Sequence, residues 1–434
     1  MVFLTDLRKH NRIVKSINQT EGYLTTQVAF SYFEKGDQSL TMSEKSQWGS
    51  KLGFILASAG SVIGLGSVWK FPYMTAANGG GGFLLIFLIS TILIGFPLLL
   101  AEFALGRSAG VSAIKTFGKL GKNNKYNFIG WIGAFALFIL LSFYSVIGGW
   151  ILVYLGIEFG KLFQLGGTGD YAQLFTSIIS NPAIALGAQA AFILLNIFIV
   201  SRGVQKGIER ASKVMMPLLF IIFVVIIGRS LSLPNAMEGV LYFLKPDFSK
   251  LTSAGLLYAL GQSFFALSLG VTVMLTYASY LDKKTNFYVL FLFATVTSSV
   301  VMLEINVGNI TNQDNSKRAK WSVILGILTF VFGIPSALSY GVMADVHIFG
   351  KTFFDAMNFL VPNLLMPFGA LYLSLFTGYI FKKALAMEEL HLDERAWKQG
   401  LFQVWLFLLR FFVPSFQSSS WSSSPNLCNQ KGLE

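Results

Sequence analysis

The stretch that decides the fold is Gly53-Phe-Ile-Leu-Ala-Ser-Ala-Gly60-Ser-Val-Ile-Gly64-Leu-Gly66-Ser-Val-Trp-Lys-Phe-Pro72-Tyr73. It is apolar enough to span a membrane, yet it holds three glycines within seven residues and a proline shortly after them. Each glycine weakens a helix by about 1 kcal/mol relative to alanine. Two interpretations stay open. One is close helix packing through small residues; the other is a discontinuous helix whose free carbonyls bind a cation and whose free amides bind an anion.

A second interrupted stretch lies in a later apolar segment, Gly261-Gln-Ser-Phe-Phe-Ala-Leu-Ser268-Leu-Gly270-Val-Thr-Val-Met-Leu-Thr-Tyr-Ala-Ser-Tyr280. Its Ser-Leu-Gly break stands near the centre of a segment long enough to cross a membrane. The two interrupted stretches are the first and sixth apolar segments of the chain. Breaks at corresponding positions of two halves are typical of inverted repeats that hold substrate and ions between broken helices. The pair predicts an all-α polytopic membrane protein built from inverted five-helix repeats.

The composition agrees with a membrane protein. Charged residues make up only 12% of the 434 residues, about half of the roughly 25% that soluble domains carry. The single cysteine, Cys428, excludes an internal disulfide framework. Apolar runs of the length of a spanning helix, about 20 residues, lie near 52–75, 82–106, 128–157, 182–201, 208–231, 254–280, 286–310, 320–340 and 352–381, with a weaker run at 400–414.

Lysine and arginine residues predict the topology, because they concentrate in cytoplasmic loops. They lie before the first span, after the second, after the fourth and after the sixth, at 45–51, 107–125, 202–213 and 283–284. A cytoplasmic N-terminus in the inner membrane places all four groups on one side. This distribution accounts for the net charge of +12 without a nucleic-acid partner.

The segment 286–310 breaks this charge pattern. Basic residues lie on both sides of it, at 283–284 and at 317–320. One crossing cannot place both groups in the cytoplasm. Either the segment is re-entrant, or an odd number of crossings is missing between Asp282 and Phe291. The missing crossing is the interpretation that we favour.

Both ends differ from the apolar body. Residues 1–41 lack the apolar core of a signal peptide, and Met42 offers a natural start, so we interpret the preceding residues as an upstream extension. After Pro414 the chain turns into a serine-rich, low-complexity tail, as a frameshift or a truncation would produce. The predicted divisions are a cytoplasmic N-terminal segment 1–47, a transmembrane domain 48–414 and a tail 415–434.

A set of short motifs runs through the apolar body. They are Gly-Leu-Gly at 64–66, Lys-Phe-Pro-Tyr at 70–73, Asn-Gly-Gly-Gly-Gly-Phe at 78–83, Gly-Phe-Pro-Leu and Glu-Phe-Ala-Leu-Gly-Arg within 95–107, Tyr-Phe-Leu-Lys-Pro-Asp-Phe at 242–248, Thr-Tyr-Ala-Ser-Tyr at 276–280 and Phe-Ala-Thr-Val-Thr-Ser-Ser at 293–299. Together they resemble the neurotransmitter:sodium symporters, especially the bacterial amino-acid transporters. The resemblance covers roughly residues 42–414. It implies a symporter that imports an amino acid with Na⁺ by alternating access.

The resemblance implies two sodium sites made of oxygen atoms, which suit a hard cation. The second site would use the backbone carbonyls of Gly60, Ile63 and Ala294 and the hydroxyls of Thr297 and Ser298. Without the resemblance, those two hydroxyls would be expected to bond their own helix. For the first site only the Val62 carbonyl and the Ser67 hydroxyl remain, because Ala266 stands where the family has a hydroxyl residue. We expect the first site to be broken.

The resemblance also implies a substrate site between the broken helices. The amides of Leu65 and Gly66 would bind the substrate carboxylate at a half-helix N-terminus, and Tyr144 would donate its hydroxyl to the same group. Read alone, Tyr144 is an interfacial anchor or a core aromatic. The remaining pocket positions are mostly apolar: Val62, Leu140, Phe265, Ser268, Val271, Ser298 and Met302. They favour a hydrophobic or aromatic amino acid, with Phe265 as an outer lid.

The residues that match the family's gates have changed. Lys70 replaces the usual outer arginine, its partner position holds Asn358, and Asp355 lies one turn earlier as a substitute. At the inner gate Lys45 faces Asn312, where the family has an aspartate. We expect a Lys–Asn pair to hold a closed state less firmly than a pair of opposite charges.

Glu102 lies deep in the second span. A carboxylate in that position is costly and so indicates a role. We expect it to accept hydrogen bonds from a broken helix.

Family members continue after the sixth helix with a seventh and a long outer loop, whereas here residues 280–286 run almost directly into the next helix motif. We infer that the seventh helix and its loop are deleted and the last helix is truncated. Three interpretations remain: a symporter that works through the second sodium site, a degenerate relative that does not transport, and a proton-coupled permease. No nucleophile–base or metal constellation suggests an enzyme.

Overall fold

The computed structural model describes residues 50, 56–57, 70–162, 171–279, 298–392, 396–415 and 417. All of them belong to one unit, Ser46–Glu434. Nearly the whole interrupted stretch 53–69 lies outside the described residues, and so does the junction 280–297. The break in the first span is therefore still a prediction.

The described chain is almost entirely helical. Its first nine helices are α1 Phe71–Ala77, α2 Gly81–Ser90, α3 Phe96–Ala109, α4 Ala113–Gly121, α5 Asn127–Leu162, α6 Tyr171–Ser180, α7 Pro182–Ser201, α8 Arg210–Leu231 and α9 Ala236–Leu244. The remaining ones are α10 Ser253–Ala266, α11 Val273–Ser279, α12 Ser298–Thr311, α13 Asn315–Ala337, α14 Phe353–Leu360, α15 Met366–Leu375, α16 Lys383–Glu389 and α17 Ala396–Phe407. A short antiparallel hairpin, β1 His347–Ile348 and β2 Lys351–Thr352, precedes α14.

Within the described residues, six helices are long and apolar enough to cross a membrane. They are Gly81–Ala109, Asn124–Ile157, Pro182–Ser201, Val204–Leu231, Asn315–Ala337 and Phe353–Ile380. Each coincides with a predicted span, so the sequence analysis placed these elements correctly. Of the other four predictions, 254–280 is divided into α10 and α11, and 400–414 falls on α17 and the turns after it. The remaining two, 52–75 and 286–310, are described only in part.

Several spans contain wide π-helical turns. Thr91–Gly95 joins α2 to α3, and Val361–Leu365 joins α14 to α15. Pro362 lies within the second of these turns, and Pro97 is the second residue after the first one. Proline has no N–H and crowds the carbonyl four residues earlier, and a wide turn is a usual way for a helix to absorb that defect.

A polar side chain caps α7 where it begins. Asn181 accepts hydrogen bonds from the amides of Ala183 at 3.0 Å and Ile184 at 3.3 Å, and Pro182 occupies the first helical position. Such a cap is worth about 1 kcal/mol. The cap therefore sets the start of α7, directly after α6 ends at Ser180.

The helices pack in two groups. In the first group, α5, α7, α12 and α13 pack against one another. In the second, α3 packs on α11 and α2 packs on α10. Helix α15 touches members of both groups, namely α5, α3 and α10. The two groups therefore meet beside the interrupted sixth span.

Helix α5 is the most enclosed span and the helix through Val204–Leu231 the most exposed one. In the most apolar stretch of each, 78% of the residues are buried for α5 and 0% for the exposed helix. An exposed apolar helix of this length fits a lipid environment. The chain is a multi-pass membrane protein.

The basic loops share one face of the molecule. The side chain of Asn309, near the end of α12, accepts a hydrogen bond from the Ile114 amide in the loop after the second span, and Arg318 lies beside Gly203 in the loop after the fourth. At the same face, Gln313 donates to the Ser279 hydroxyl at 2.8 Å.

Ser279, at the end of the sixth span, and Gln313, two residues after α12, therefore lie at the same face. Residues 280–297 between them lie outside the described residues. A re-entrant segment and a missing crossing both stay predictions.

Candidate functional site

The sixth span is interrupted where the sequence predicts. Helix α10 ends at Ala266, α11 begins at Val273, and the residues between them form turns. Ser268, Gly270 and Thr272 have φ angles of 53°, 74° and 60°. The left-handed region favours glycine, and for other residues it costs about 1 kcal/mol or more. Two non-glycine residues are held there, so the surroundings must impose this conformation.

Glu102 holds the break, as the sequence analysis expects. Its side chain is fully buried, and its two carboxylate oxygens accept hydrogen bonds from the amides of Gly270 at 3.0 Å and Leu275 at 3.2 Å. The first turn of a helix leaves its amides without partners. A carboxylate that accepts from such amides satisfies them and matches the positive end of the helix dipole.

Three close approaches at glycine residues surround the same break. A Cβ on Gly106 would lie 2.0 Å from the Leu275 carbonyl oxygen, and a Cβ on Gly369 would lie 1.9 Å from the Gly270 carbonyl oxygen. A Cβ on Gly133 would lie 2.6 Å from the Thr272 side chain. Each of these glycines lies on a different helix, so α3, α5 and α15 converge on the turns. The sequence analysis did not single out Gly133 or Gly369.

Four of the predicted substrate residues belong to one buried cluster. Leu140, Tyr144, Val271 and Met302 are at most 5% exposed and lie in the main core. Phe265 packs against that core, and Ser268 lies in the turns themselves. The structure thus brings α5, α12 and the sixth-span break together.

The other predicted substrate positions lie outside the part of the chain that the structure describes. They are Val62, Leu65 and Gly66, together with the side chain of Ser298. The same holds for the sodium ligands Gly60, Ile63, Ser67, Ala294 and Thr297. Ala266 is described and ends α10, and its methyl side chain offers no oxygen to a cation.

Two of the side chains predicted for the outer gate, Lys70 and Asn358, contact each other. The Lys70 ammonium donates to the Asn358 side-chain oxygen at 3.2 Å. It also lies 5.5 Å from the ring centroid of Phe265, close enough for a cation–π contact. The residues predicted as the outer gate and as the aromatic lid are therefore in contact.

Asp355 does not replace Asn358 in this gate. Its carboxylate accepts from the hydroxyls of Tyr340 at 3.1 Å and Thr352 at 2.7 Å. At the basic face, Asn312 is exposed with a φ of 52°. Its predicted partner Lys45 lies outside the described residues, so the inner gate stays a prediction.

A cavity of about 340 Å³ opens beside the outer gate. Lys70 and Asn358 form part of its wall, and the hairpin residues His347 and Lys351 form another part. None of the predicted substrate residues that the structure describes is in its lining. We name this cavity the outer vestibule after the predicted gate beside it, and it is separate from the described cluster around Tyr144.

Residues 45–164 and 174–310 match the sequence profile of the "Sodium:neurotransmitter symporter family". Together these ranges take in more than half of the chain. The chain belongs to the sodium:neurotransmitter symporter family. It is thus a sodium-coupled transporter and not an enzyme, as the motifs around Gly64 and Glu102 predict.

Among similar proteins is an uncharacterised sodium-dependent transporter of Bacillus subtilis. It is 44% identical over an alignment of 437 residues, which takes in 86% of this chain and 96% of the relative. A sodium-dependent transporter of Haemophilus influenzae is 29% identical over 450 residues, with the same two coverages. A solved structure, of MhsT in complex with L-phenylalanine, superimposes with a TM-score of 0.79 at 32% identity and covers 88% of this symporter and 100% of MhsT.

The Bacillus alignment is longer than the matched part of this symporter. Since 86% of 434 residues is about 373, at least about 64 of the 437 aligned positions hold no residue of this chain. A spanning helix needs about 20 residues. The difference has room for one helix and a long loop.

Two buried ion pairs of the symporter were not anticipated from its sequence. Arg107 and Glu389 pair at 2.5 Å with side chains 2% and 3% exposed, and Glu304 pairs with Arg318 with both side chains buried. The sequence analysis counted Arg107 and Arg318 as loop charges that report topology. Both lie at the basic face, as expected, but they pin α16 to α3 and α12 to α13 from inside the protein.

Proposed function

We propose that this symporter imports a hydrophobic or aromatic L-amino acid together with sodium by alternating access. The observation that carries the proposal is the break in the sixth span, held by Glu102 and placed in the same core as Tyr144, Val271 and Met302. A broken helix supplies unpaired backbone groups where a charged ligand needs them.

The substrate carboxylate is assigned to the Leu65 and Gly66 amides and the Tyr144 hydroxyl. The side chain is assigned to the apolar wall of Leu140, Val271 and Met302, beneath Phe265. Because apolar walls favour apolar side chains by about 25 cal/mol per Å² buried, a large hydrophobic substrate gains most. The bound phenylalanine named for MhsT supports the same class.

Sodium is assigned to the second site, with the carbonyls of Gly60, Ile63 and Ala294 and the hydroxyls of Thr297 and Ser298. When bound there, the ion would join the first broken helix to the start of α12. The first site keeps only Val62 and Ser67 as ligands, because Ala266 has no hydroxyl to bind a cation. One sodium ion per substrate is the stoichiometry that this donor set favours.

In the same proposal the chain lies in the cell membrane with its basic face toward the cytoplasm. We also propose that this chain has lost the seventh helix that family members have. The aligned positions that hold no residue here support the deletion. Helix α12 ends near the basic face, where Asn309 contacts Ile114, and the Glu304–Arg318 pair ties it to α13. The second sodium site therefore keeps a fixed helix on one of its sides.

The test is uptake of radiolabelled L-phenylalanine into proteoliposomes with an inward sodium gradient, compared with a potassium gradient of equal size. Tyr144→Phe and the double variant Thr297→Ala/Ser298→Ala should each lower sodium-driven uptake by about tenfold or more, the effect of losing ~1.4 kcal/mol. Tyr154→Phe, on the same helix and outside the proposed pocket, should transport normally. If the wild-type chain neither binds nor accumulates any amino acid of a hydrophobic panel, it is a non-transporting relative.

A further inference from the structure

We propose that an anionic phospholipid binds where α7 and α8 meet, with its phosphate at the basic turn that joins the two helices and its acyl chains along their exposed apolar faces. The site lies at the end of the fourth predicted span and the start of the fifth. The inference does not depend on the sodium sites, on the substrate site or on transport.

The first argument is the shape of this part of the fold. The chain leaves α7 at Ser201 and turns back through a π-helical turn, Val204–Glu209. A Cβ on Gly207 would lie 2.0 Å from the Ile199 carbonyl oxygen, so the turn packs tightly on the end of α7. Beyond it α7 packs on α5, α12 and α13, and the described residues of α8 do not pack along α7 in this way. The two helices therefore diverge from one basic end.

The second argument is the apolar surface beside the turn. On α7, large apolar residues are exposed at three- and four-residue steps before Arg202, and on α8 others follow Arg210 at similar steps. They are Leu194, Leu195 and Phe198 on α7 and Val214, Met215 and Leu218 on α8, each 46–67% exposed. Residues three or four apart share a face of a helix. Each helix thus carries a basic residue and an exposed apolar strip on one face, a combination that fits a headgroup and its acyl chains.

The third argument is the charge of the turn. Four basic residues are exposed within twelve positions, Arg202, Lys206, Arg210 and Lys213. The guanidinium carbon of Arg202 lies 3.8 Å from the ring centroid of Phe198. A guanidinium stacked on a ring keeps the N–H groups at its edge available, and these groups match phosphate oxygens in pairs. In the described part of the chain, no carboxylate pairs with Arg202, Lys206 or Arg210.

The carboxylates nearest to the turn are buried and already paired. Glu209 is 3% exposed and accepts from the Ser50 hydroxyl at 2.6 Å and from the Lys213 ammonium at 2.8 Å. Glu304 is fully buried and pairs with Arg318, whose side chain lies next to the loop between α7 and α8. Neither carboxylate is at the exposed surface. The exposed charge beside the apolar strips is therefore positive, and it attracts the anionic headgroups of a membrane.

The chemistry that fits is a phosphodiester with a net negative charge and two acyl chains. Arg202 and Arg210 donate to the phosphate oxygens, and the acyl chains cover the apolar strips. A zwitterionic phospholipid has the same chains but carries an ammonium group that the basic residues repel. A free phosphate has the charge but covers no apolar surface. A lipid that contacts both strips stabilises α8, which has few contacts with the rest of the described protein.

The experiment measures thermal unfolding of the purified full-length chain in a nonionic detergent, at constant sodium and ionic strength. Phosphatidylglycerol is titrated in one series and phosphatidylcholine in a second. Phosphatidylglycerol should raise the Tm in a saturable way, and phosphatidylcholine should raise it much less. Inorganic phosphate and soluble glycerophosphoglycerol are titrated in parallel and should leave the Tm unchanged, because they lack acyl chains.

The double variant Arg202→Gln/Arg210→Gln should lower the apparent affinity for phosphatidylglycerol by about tenfold or more. The matched control is Lys115→Gln/Lys125→Gln, which removes the same charge from exposed positions in the loop after the second span and should respond as the wild type does. Phe198→Leu keeps every charge and removes the ring beneath Arg202. It should also weaken the affinity, which a simple effect of net charge would not explain.

The proposal is overturned if the two lipids shift the Tm of the wild-type chain alike, or if the two double variants respond alike. It is also overturned if inorganic phosphate reproduces the response, since the site would then bind a free phosphate. Should Arg202→Gln/Arg210→Gln fail to fold, the comparison of Lys206→Gln with Lys115→Gln still decides. Loss of amino-acid uptake with an unchanged lipid response would contradict the proposed function and leave this site intact.

Discussion

Single residues decide the geometry at the centre of this symporter, and Glu102 is the clearest case. Its carboxylate accepts from the amide of Gly270, within the turns of the sixth-span break, and from the amide of Leu275, in the first turn of α11. A buried amide left without an acceptor costs about 1–3 kcal/mol. The turns between α10 and α11 therefore depend on one side chain of α3.

We expect Glu102→Ala to lower the free energy of unfolding by about 2–5 kcal/mol, since two amides lose their acceptor. Phenylalanine binding should fall with it. Glu102→Gln keeps one acceptor oxygen and should therefore lower the free energy of unfolding by less. Thermal unfolding and radioligand binding measure both effects, with the exposed Glu238→Gln as the control. A stable Glu102→Ala variant that binds phenylalanine normally would contradict this role.

The Arg107–Glu389 pair gives a second prediction at this scale. Removing one member of a buried pair leaves a charge without its partner and costs about 3–5 kcal/mol. Arg107→Met and Glu389→Leu should each destabilise strongly, and the double variant should be less destabilised than the sum. A double-mutant cycle on unfolding measures this coupling.

The exposed pair Lys317–Asp314, at 3.2 Å, is the matched comparison for that cycle. Its coupling should be below about 1 kcal/mol. Equal coupling energies for the two pairs would show that burial of Arg107 does not strengthen its interaction with Glu389.

The role of Glu102 could be predicted from the sequence, whereas the Arg107–Glu389 pair could not. The difference has a physical reason. A carboxylate in the middle of a span is costly wherever it is, so Glu102 needs a role whatever its partner. Arg107 lies at the end of a span, where a basic residue needs no partner at all. Its partner is 282 residues away in sequence, and no periodicity connects the two.

At the scale of elements, the turns 267–272 are the junction of three helices. Helix α15 meets them so closely that Gly369 and Gly270 touch through backbone atoms. The same span begins with α14, which carries Asn358 of the outer gate. A single span therefore contacts both the gate and the break.

Gly369→Ala is the prediction that follows. Its Cβ would lie 1.9 Å from the Gly270 carbonyl oxygen, and neither backbone can yield easily. We expect an overpacking cost of about 1–3 kcal/mol and weaker phenylalanine binding. Equilibrium binding and thermal unfolding measure the two effects.

Gly187→Ala on α7 is its control, because a Cβ there has nothing within 4 Å. It should be neutral, or stabilising by up to about 1 kcal/mol through helix propensity. If the two variants behave alike, contact with α15 does not position the break.

Elements that depend on local composition were predictable, and elements that depend on contact were not. The spans at 82–106 and 182–201 follow from apolar length, and the break follows from Ser268 and Gly270. The convergence on Gly369 does not, because a glycine inside an apolar span has many packing uses. Only the close approach of Gly270, on another span, shows why position 369 holds a glycine.

At the scale of the whole molecule, the distribution of basic residues says more about the topology than the number of apolar spans does. Basic residues at 283–284 and at 317–320 require the segment between them to begin and end on one side. The contact between Ser279 and Gln313 agrees with this requirement, since it places these two residues at one face. The sequence analysis favours a missing crossing, because family members continue with a seventh helix where residues 280–286 run almost directly into the next motif. Residues 280–297 lie outside the described residues, so the missing crossing and the re-entrant segment both stay predictions.

This topology predicts the sides from which cysteines react. In a Cys428→Ala background, Lys125→Cys and Lys317→Cys lie at the basic face, and Lys245→Cys lies beside the loop 78–81 at the other face. An impermeant maleimide should label Lys245→Cys in intact cells. It should label the other two only after permeabilisation, because the positive-inside rule places the basic face in the cytoplasm. All three lysines are exposed, so slow reaction from burial is not expected.

Lys317→Cys distinguishes the alternatives. If the segment 280–312 crossed the membrane once, this cysteine would react together with Lys245→Cys in intact cells. If all three reacted from the reverse sides, the re-entrant segment would stand and only the orientation would be inverted. Labelling of Lys317→Cys in step with Lys125→Cys would mean that α12 returns to the face it came from. The second sodium site would then be framed by a helix held from the cytoplasmic side by the Glu304–Arg318 pair.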